Sequence, residues 1–262
     1  SGRGPRGGRW AVVVVVGVVG AIALVMAARR LEPRREAHAS SAVAPSAPPS
    51  AIPSAAPPPL SVVVFGDSTA NSLGWILRGT RRPGLTVELL GKDGCSMVYD
   101  ACLGETWLAE VTRAKPDAVL VFPGGVYLHP WTTARGKTVF SCSKEWDAEL
   151  ERVLTLRLRE VARAGPRVYG VTLPHSRRPW DGPKENGHVD CVNAVIRRAV
   201  ANVPAAAVLD LGERVCPRGE CPEREPDMAG AIRSDGIHYD MEGAQPIARW
   251  VLEELSSPTR RE

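Results

Sequence analysis

Three side chains in this sequence have the types and spacing to activate an oxygen nucleophile: Ser68, Asp235 and His238. A serine hydroxyl is a poor nucleophile near neutral pH, so it needs a base within hydrogen-bond reach and a third group to fix the base's tautomer. Ser68 follows the apolar run Val62-Val63-Val64-Phe65 and the small turn Gly66-Asp67, a context that exposes one hydroxyl where a strand gives way to a helix. Asp235 and His238 lie three apart, about 170 residues later, in Arg233-Ser234-Asp235-Gly236-Ile237-His238, just before a final amphipathic helix. The chemistry expected of such a set is attack of Ser68 on an ester carbonyl, with His238 moving the proton and Asp235 orienting the imidazole. The backbone N–H groups of Ser68 and Gly94 would hold the oxyanion. Each part also has a plainer reading. Ser68 suits a helix N-cap, Asp235 suits the cap of the last helix, and Gly94 suits an ordinary turn. Asp67 reads as a structural hydrogen-bonding residue at the elbow.

The elements that must position these residues follow from the pattern downstream of Leu60. Short β-branched apolar runs alternate with longer helical patterns, the signature of a parallel sheet wrapped by helices. Strands are expected at 61–66, 86–90, 118–123, 167–173 and 206–211, and helices at 69–79, 106–115, 143–164, 189–202 and 242–256. The helix from Ser143 has apolar Trp146, Leu150, Val153, Leu154, Leu156 and Leu158 among charges, which predicts one buried stripe. The expected fold is therefore α/β, a flavodoxin-like three-layer arrangement with a five-stranded parallel sheet. Ligands in such sheets bind beyond the carboxyl ends of the strands. That edge collects Ser68, Gly91 to Cys95, Pro123 to Pro130 and His175 to Trp180. Tyr127, His129, Trp131, His175 and Trp180 are thus candidates to shape a sugar-binding cleft, packing or surface exposure being the alternative for each. A metal-dependent hydrolysis using His129, His175 and His238 has no paired ligand spacing behind it, so neither metal nor cofactor is expected.

The first sixty residues have a different composition. After a basic flank (1–9), residues 10–28 form an uncharged apolar run, ~28 Å long as a helix, which matches a bilayer's hydrocarbon core. Arg29 and Arg30 follow at once, where a signal peptide would place small cleavage-site residues, and Arg34 and Arg35 lie a little further on. The run is read as one transmembrane helix. Residues 29–59 are a linker dominated by Ala, Pro and Ser, a composition that cannot bury a core and is expected to be disordered. The folded domain is then 60–257, with a short tail at 258–262.

Across 262 residues, 44% are hydrophobic and 24% charged, ordinary for a globular chain with a sizeable core. The formal net charge is +4, but seven arginines and two glutamates in residues 1–36 give +5 there and leave −1 for the rest. The basic excess belongs to the membrane flanks, and no basic stripe supports nucleic-acid binding. Six cysteines, with Cys95/Cys102 and Cys216/Cys221 close enough to close short loops, suit disulfides in an oxidising compartment. Buried thiols are the intracellular alternative, and six cysteines allow fifteen pairings. The bulk of the chain is expected outside the cell membrane.

Over roughly Leu60 to Leu255 the residues resemble the SGNH (GDSL-like) hydrolase superfamily. Gly66-Asp67-Ser68 resembles its first block, Gly94-Cys95 its glycine-bearing second, and Asp235-Gly236-Ile237-His238 its last. The fuller pattern, with Gly66 to Gly74, Val215-Cys216-Pro217-Arg218-Gly219 and Arg233 to Tyr239, is similar to the extracytoplasmic SGNH domains fused behind multi-spanning acyltransferase-3 membrane proteins. That resemblance implies a final span, a spacer and an external domain in this order, and a start at Ser rather than Met suits a piece of such a fusion. It implies a short acyl group, acetyl above all, on a cell-surface glycan, and possible partnership with an acyltransferase-3 region. The superfamily's third block, Gly-x-Asn-Asp, supplies an asparagine donor to the oxyanion. Here Gly124-Gly125-Val126-Tyr127 stands in its place.

Overall fold

A computed structural model of the chain describes residues 57–95, 107–125, 130–133, 135–178 and 183–257. The expected membrane span at 10–28, nearly all of the linker, the tail, and Cys102, Tyr127, His129 and Trp180 lie outside the described residues. Among the described residues no helix is long and apolar enough to cross a membrane.

Five parallel strands form the central sheet: β1 (Leu60–Phe65), β2 (Leu85–Leu89), β3 (Ala118–Val121), β6 (Arg167–Val171) and β7 (Ala206–Leu209). Their order is β2-β1-β3-β6-β7. The central strands are apolar on both faces because both faces are covered by helices, as parallel sheets require. Every residue of β3 is buried, and so are five of the six in β1. The edge strands β2 and β7 are half-buried, and β2 admits Thr86 and Glu88. A small antiparallel pair, β4 (Trp131–Thr132) with β5 (Thr138–Val139), lies in the long connection after β3.

Among the described residues six helices accompany the sheet: α1 (Ser68–Gly79), α2 (Trp107–Ala114), α3 (Lys144–Ala162), α4 (Pro183–Ala201), α5 (Leu211–Val215) and α6 (Gln245–Ser256). The chain leaves β1 toward β2 and then reverses to run through β3, β6 and β7. Right-handed crossovers therefore put α1 on one face and the later crossover helices on the other. Accordingly α1 packs with α6, while α3 packs between α2 and α4. In α3 the i, i+4 row Trp146, Leu150, Leu154 and Leu158 is buried. Leu156, expected in that stripe, falls off the row and is exposed. Ser143 caps the helix, its Oγ accepting from the Trp146 N–H at 3.3 Å.

The expected strands and helices are present, with differences at their ends. Helix α4 starts at Pro183, six residues before the expected 189, since proline is favourable in a first helical turn. The turn at 211–215 and the 3₁₀ turn Pro217–Gly219 replace what was read as the end of a strand and a loop. Both are too short to show a period.

Candidate active site

The site is built at the point where the strand order reverses, between β1 and β3, the usual ligand crevice of such sheets. At the end of β1 the backbone turns at Gly66 with φ +154°, and a β-carbon there would lie 2.6 Å from Ala70 Cβ and 2.7 Å from Phe122 Cβ. Only glycine fits so close an approach of the elbow to β3 and α1. Asp67 then caps α1: its Oδ1 accepts from Thr69 N at 2.9 Å and from Thr69 Oγ1 at 2.5 Å. Its Oδ2 accepts from Gly125 N at 2.9 Å, which ties the loop after β3 to the elbow. The N-cap is thus Asp67, and Ser68 is the first helical residue. Its N–H belongs to the set that has no intrahelical acceptor, at the positive end of the helix dipole.

His238 reaches this elbow from the other end of the domain. Its Nε2 lies 2.8 Å from Ser68 Oγ, and its Nδ1 lies 2.5 Å from Asp235 Oδ2. With Nδ1–H donating to Asp235, Nε2 is free to accept from the Ser68 hydroxyl, the tautomer that general-base chemistry needs. Asp235 Oδ1 accepts from the N–H groups of Ile237 and His238, each at 2.8 Å. Burial pushes the Asp235 carboxyl up, but the imidazole and the two backbone donors outweigh it and hold the pKa below its ordinary 3.8.

The loop carrying Asp235 and His238 is fixed on three sides. Ser72, one turn along α1 from Ser68, accepts from Tyr239 N at 3.2 Å. Asp240 accepts from Ser234 N at 2.5 Å and from Ser234 Oγ at 3.0 Å. Arg177 N donates to Gly236 O at 3.0 Å. The loop after β2 is held as well, since Lys92 N donates to Gly66 O at 3.0 Å and Asn71 Nδ2 donates to Asp93 Oδ1 at 2.8 Å. Gly94, at φ +72°, faces open space where a side chain would stand, and it lines the same cavity as Ser68.

That cavity has a volume of about 240 Å³ and is walled by Phe122, Leu173, Pro174, Ile237 and Tyr239. Pro174, Ser176 and Arg178 line it, whereas His175 between them does not. The His175 ring turns instead to α4, with Nε2 2.7 Å from Asp190 Oδ1 and Nδ1 3.3 Å from Gly219 O. His175, expected to contact substrate, is therefore not among the described residues lining this cavity, its ring being engaged by Asp190 and the Gly219 carbonyl. Tyr127 and His129, the other two expected contacts, lie outside the described residues, and Trp131 is buried in the core. No asparagine is among the described residues lining the cavity. Among the described residues no cluster of three or more His, Cys, Asp or Glu has the geometry to hold a metal ion.

Sequence reasoning missed several residues here. Ser72 had a signal, its i+4 spacing from Ser68. Arg233 stood in a quoted motif without a role, and its guanidinium is buried, donating to His175 O at 2.8 Å and to Cys216 Sγ at 3.4 Å. Cys216 pairs with Cys221, and Cys142 with Cys191, while Cys95 is also disulfide-bonded.

A family model described as a protein of unknown function (DUF459) matches residues 61–254, the whole sheet and both halves of the site. The chain belongs to that family. A search of curated proteins finds no match to this DUF459 chain. Among solved structures it is similar to a GDSL-like lipase from Bacteroides thetaiotaomicron VPI-5482, at 14% identity and TM-score 0.51, covering 74% of this chain and 87% of that one. It is similar to LAE5, an alpha/beta hydrolase enzyme from the metagenome of Lake Arreo, Spain, at 19% identity and TM-score 0.51, covering 75% and 94%. It is also similar to the acetyl xylan esterase AlAXEase, at 14% identity and TM-score 0.50, covering 74% and 99%. These likenesses establish a shared fold, in keeping with the SGNH resemblance of the sequence blocks.

Proposed function

We propose that this DUF459 chain is a serine esterase or O-acyltransferase acting on short acyl esters, acetyl above all, of cell-surface glycans. The observation that carries the reading is the unbroken hydrogen-bonded chain from Ser68 through His238 to Asp235, with Ser68 and His238 lining a cavity. Ser68 Oγ attacks the ester carbon while its proton passes to His238 Nε2, and the carbonyl electrons move onto an oxyanion facing the N–H groups of Ser68 and Gly94. Collapse breaks the bond to the leaving alcohol, which takes the proton from His238, and leaves an acyl group on Ser68. Water or a sugar hydroxyl then gives its proton to His238, attacks the acyl carbon and restores the serine. Hydrolysis and transfer differ only in that second acceptor. Substrates of this kind are named for one protein of the same fold, an acetyl xylan esterase.

The run at 10–28 is read as a membrane anchor and 29–59 as a spacer, with the domain outside the cell, where the disulfides suit an oxidising compartment. A multi-spanning acyltransferase-3 region is the partner this layout would serve. A second reading, a glycan-binding domain without turnover, is favoured by the absence of an asparagine donor from the described cavity lining. One experiment separates them. The full chain in detergent should release p-nitrophenol from its acetate and be labelled at Ser68 by a fluorophosphonate. Absent labelling of folded protein, with glycan binding unchanged in Ser68→Ala, would favour the binding domain.

A further inference from the structure

The cavity in front of Ser68 is larger and more apolar than an acetyl group requires. Its volume of about 240 Å³ exceeds the roughly 150 Å³ that admits benzene to an apolar protein cavity. An acetyl group, smaller than benzene, leaves much of it unfilled. Among the described lining residues Cys95, Phe122, Leu173 and Tyr239 are buried, and Pro174 and Ile237 are half-buried. Cys95 is disulfide-bonded and the Tyr239 Oη is itself buried, so neither offers the cavity an exposed donor.

The polar groups of the same wall are occupied by the protein. The Asp67 carboxylate accepts from Thr69, Ala70 and Gly125. Ser176 Oγ accepts from Arg178 N, and Arg233 donates to His175 O and to Cys216 Sγ. Both arginines are engaged elsewhere in the protein as well. What the described wall leaves for a ligand is therefore apolar contact, beside the N–H groups of Ser68 and Gly94.

The chemistry decides which side of the ester meets that wall. The leaving alcohol takes its proton from His238 Nε2, so the alcohol lies beside an imidazole whose side chain is 42% exposed. A glycan is too large for a cavity of this size and needs partners for its hydroxyls, so it runs out to solvent past His238. The acyl group lies across the carbonyl carbon from the alcohol, toward the apolar wall. Ligand cavities of this composition bind through burial of carbon surface.

Resting on the esterase reading above, we propose that this cavity is an acyl-chain site whose preferred occupant is a linear acyl group of about four to six carbons. Acetyl is then accepted at a lower rate. Leu173 and Ile237 are specificity-determining residues, because they wall the cavity without belonging to the Ser68–His238–Asp235 chain.

The test is a chain-length series on the full chain in detergent. For 4-nitrophenyl acetate, butyrate and hexanoate, kcat/KM is divided by the rate constant of hydrolysis by hydroxide, which removes intrinsic reactivity. Each buried methylene contributes about fourfold, so butyrate should exceed acetate by about tenfold or more. A flat series, or one led by acetate, overturns the proposal. Methyl, propyl and pentyl acetates, read by acid release, lengthen the alcohol instead and should gain less per methylene. An equal or greater gain there overturns the assignment to the acyl side. Ile237→Phe, at a half-buried position that keeps its backbone N–H for Asp235, should lower the butyrate-to-acetate ratio toward one. Leu173→Ala widens the cavity and should raise the hexanoate-to-acetate ratio. Ratios unchanged in both folded variants overturn the proposal. Should no ester turn over, the esterase reading fails separately, and calorimetric titration of the Ser68→Ala protein with 4-nitrophenyl acetate and butyrate still decides the preference of the cavity. Tighter binding of butyrate supports the chain site, and equal binding overturns it.

Discussion

At the scale of single residues, the site depends on two carboxylates with different tasks. Asp235 orients His238 and is itself kept ionised by it, so Asp235→Asn should preserve the fold while reversing the imidazole's tautomer. Esterase kcat is expected to fall about 10⁴-fold, the size of the loss when a triad aspartate is replaced by its amide. The reverse dependence is visible by titration. Because the folded pKa of Asp235 lies below 3.8, its contribution to loop order is fully present above the unfolded value and is lost as pH falls through the folded one. In His238→Ala the largest lowering influence is gone while burial persists, so carboxyl NMR should show Asp235 titrating at higher pH than in the parent protein. Unchanged titration would mean the imidazole does not bond it in solution. Asp67, in contrast, serves the backbone. Asp67→Ala removes the cap of α1 and the tie to Gly125, and a loss of about 1–2 kcal/mol in denaturant unfolding is expected. The role of Asp67 at the elbow was legible from its place before a helix, but its bond to Gly125, 58 residues on, was not, because no local pattern encodes it.

At the scale of elements, the geometry of Ser68 depends on a strand, a turn and a helix that meet without slack. A methyl group at Gly66 would overlap Ala70 and Phe122, so Gly66→Ala should shift the elbow, cost about 1–3 kcal/mol of stability and lower fluorophosphonate labelling of Ser68. The strands were readable because parallel strands buried on both faces are nearly continuous apolar runs, and β1 is the plainest example. Helix α3 was readable from its i, i+4 row. Less was readable where contact is made across space. The disulfide Cys142–Cys191 joins the segment before α3 to α4 over 49 residues, whereas Cys216–Cys221 closes a loop of five that spacing alone suggested. The long loop constrains the unfolded chain more, so Cys142→Ser with Cys191→Ser should lower stability by about 2–4 kcal/mol, read as a drop in the midpoint of thermal unfolding. A change within error would mean that the unfolded chain is already restricted there.

At the scale of the whole molecule, the hydrogen-bonded chain Ser68–His238–Asp235, proposed to be catalytic, joins the first crossover of the sheet to the last loop before the final helix. The flavodoxin-like strand order makes this possible: β1 is central, α1 leaves its carboxyl end, and α6 returns to pack on α1. The alternation of strands and helices made that order legible, since few right-handed arrangements of five such units exist. The meeting of Ser68 with His238 is therefore a property of the assembled domain. No single segment can preserve it. The fluorescence of Trp107 and Trp146, both fully buried, reports the same core, because Trp107 stacks on Phe65 at 4.2 Å directly before the elbow and Trp146 lies on the buried row of α3. Local opening of the His238 loop is resisted by its bonds to Ser72, Asp240 and Arg177. Loss of reactivity should consequently coincide with cooperative unfolding of the domain. In a urea series on the full chain, the midpoint for fluorophosphonate labelling of Ser68 should match that for tryptophan emission. If labelling disappears at clearly lower urea, the His238 loop opens as a separate unit of low stability, and its three tethers hold it less firmly than the geometry implies.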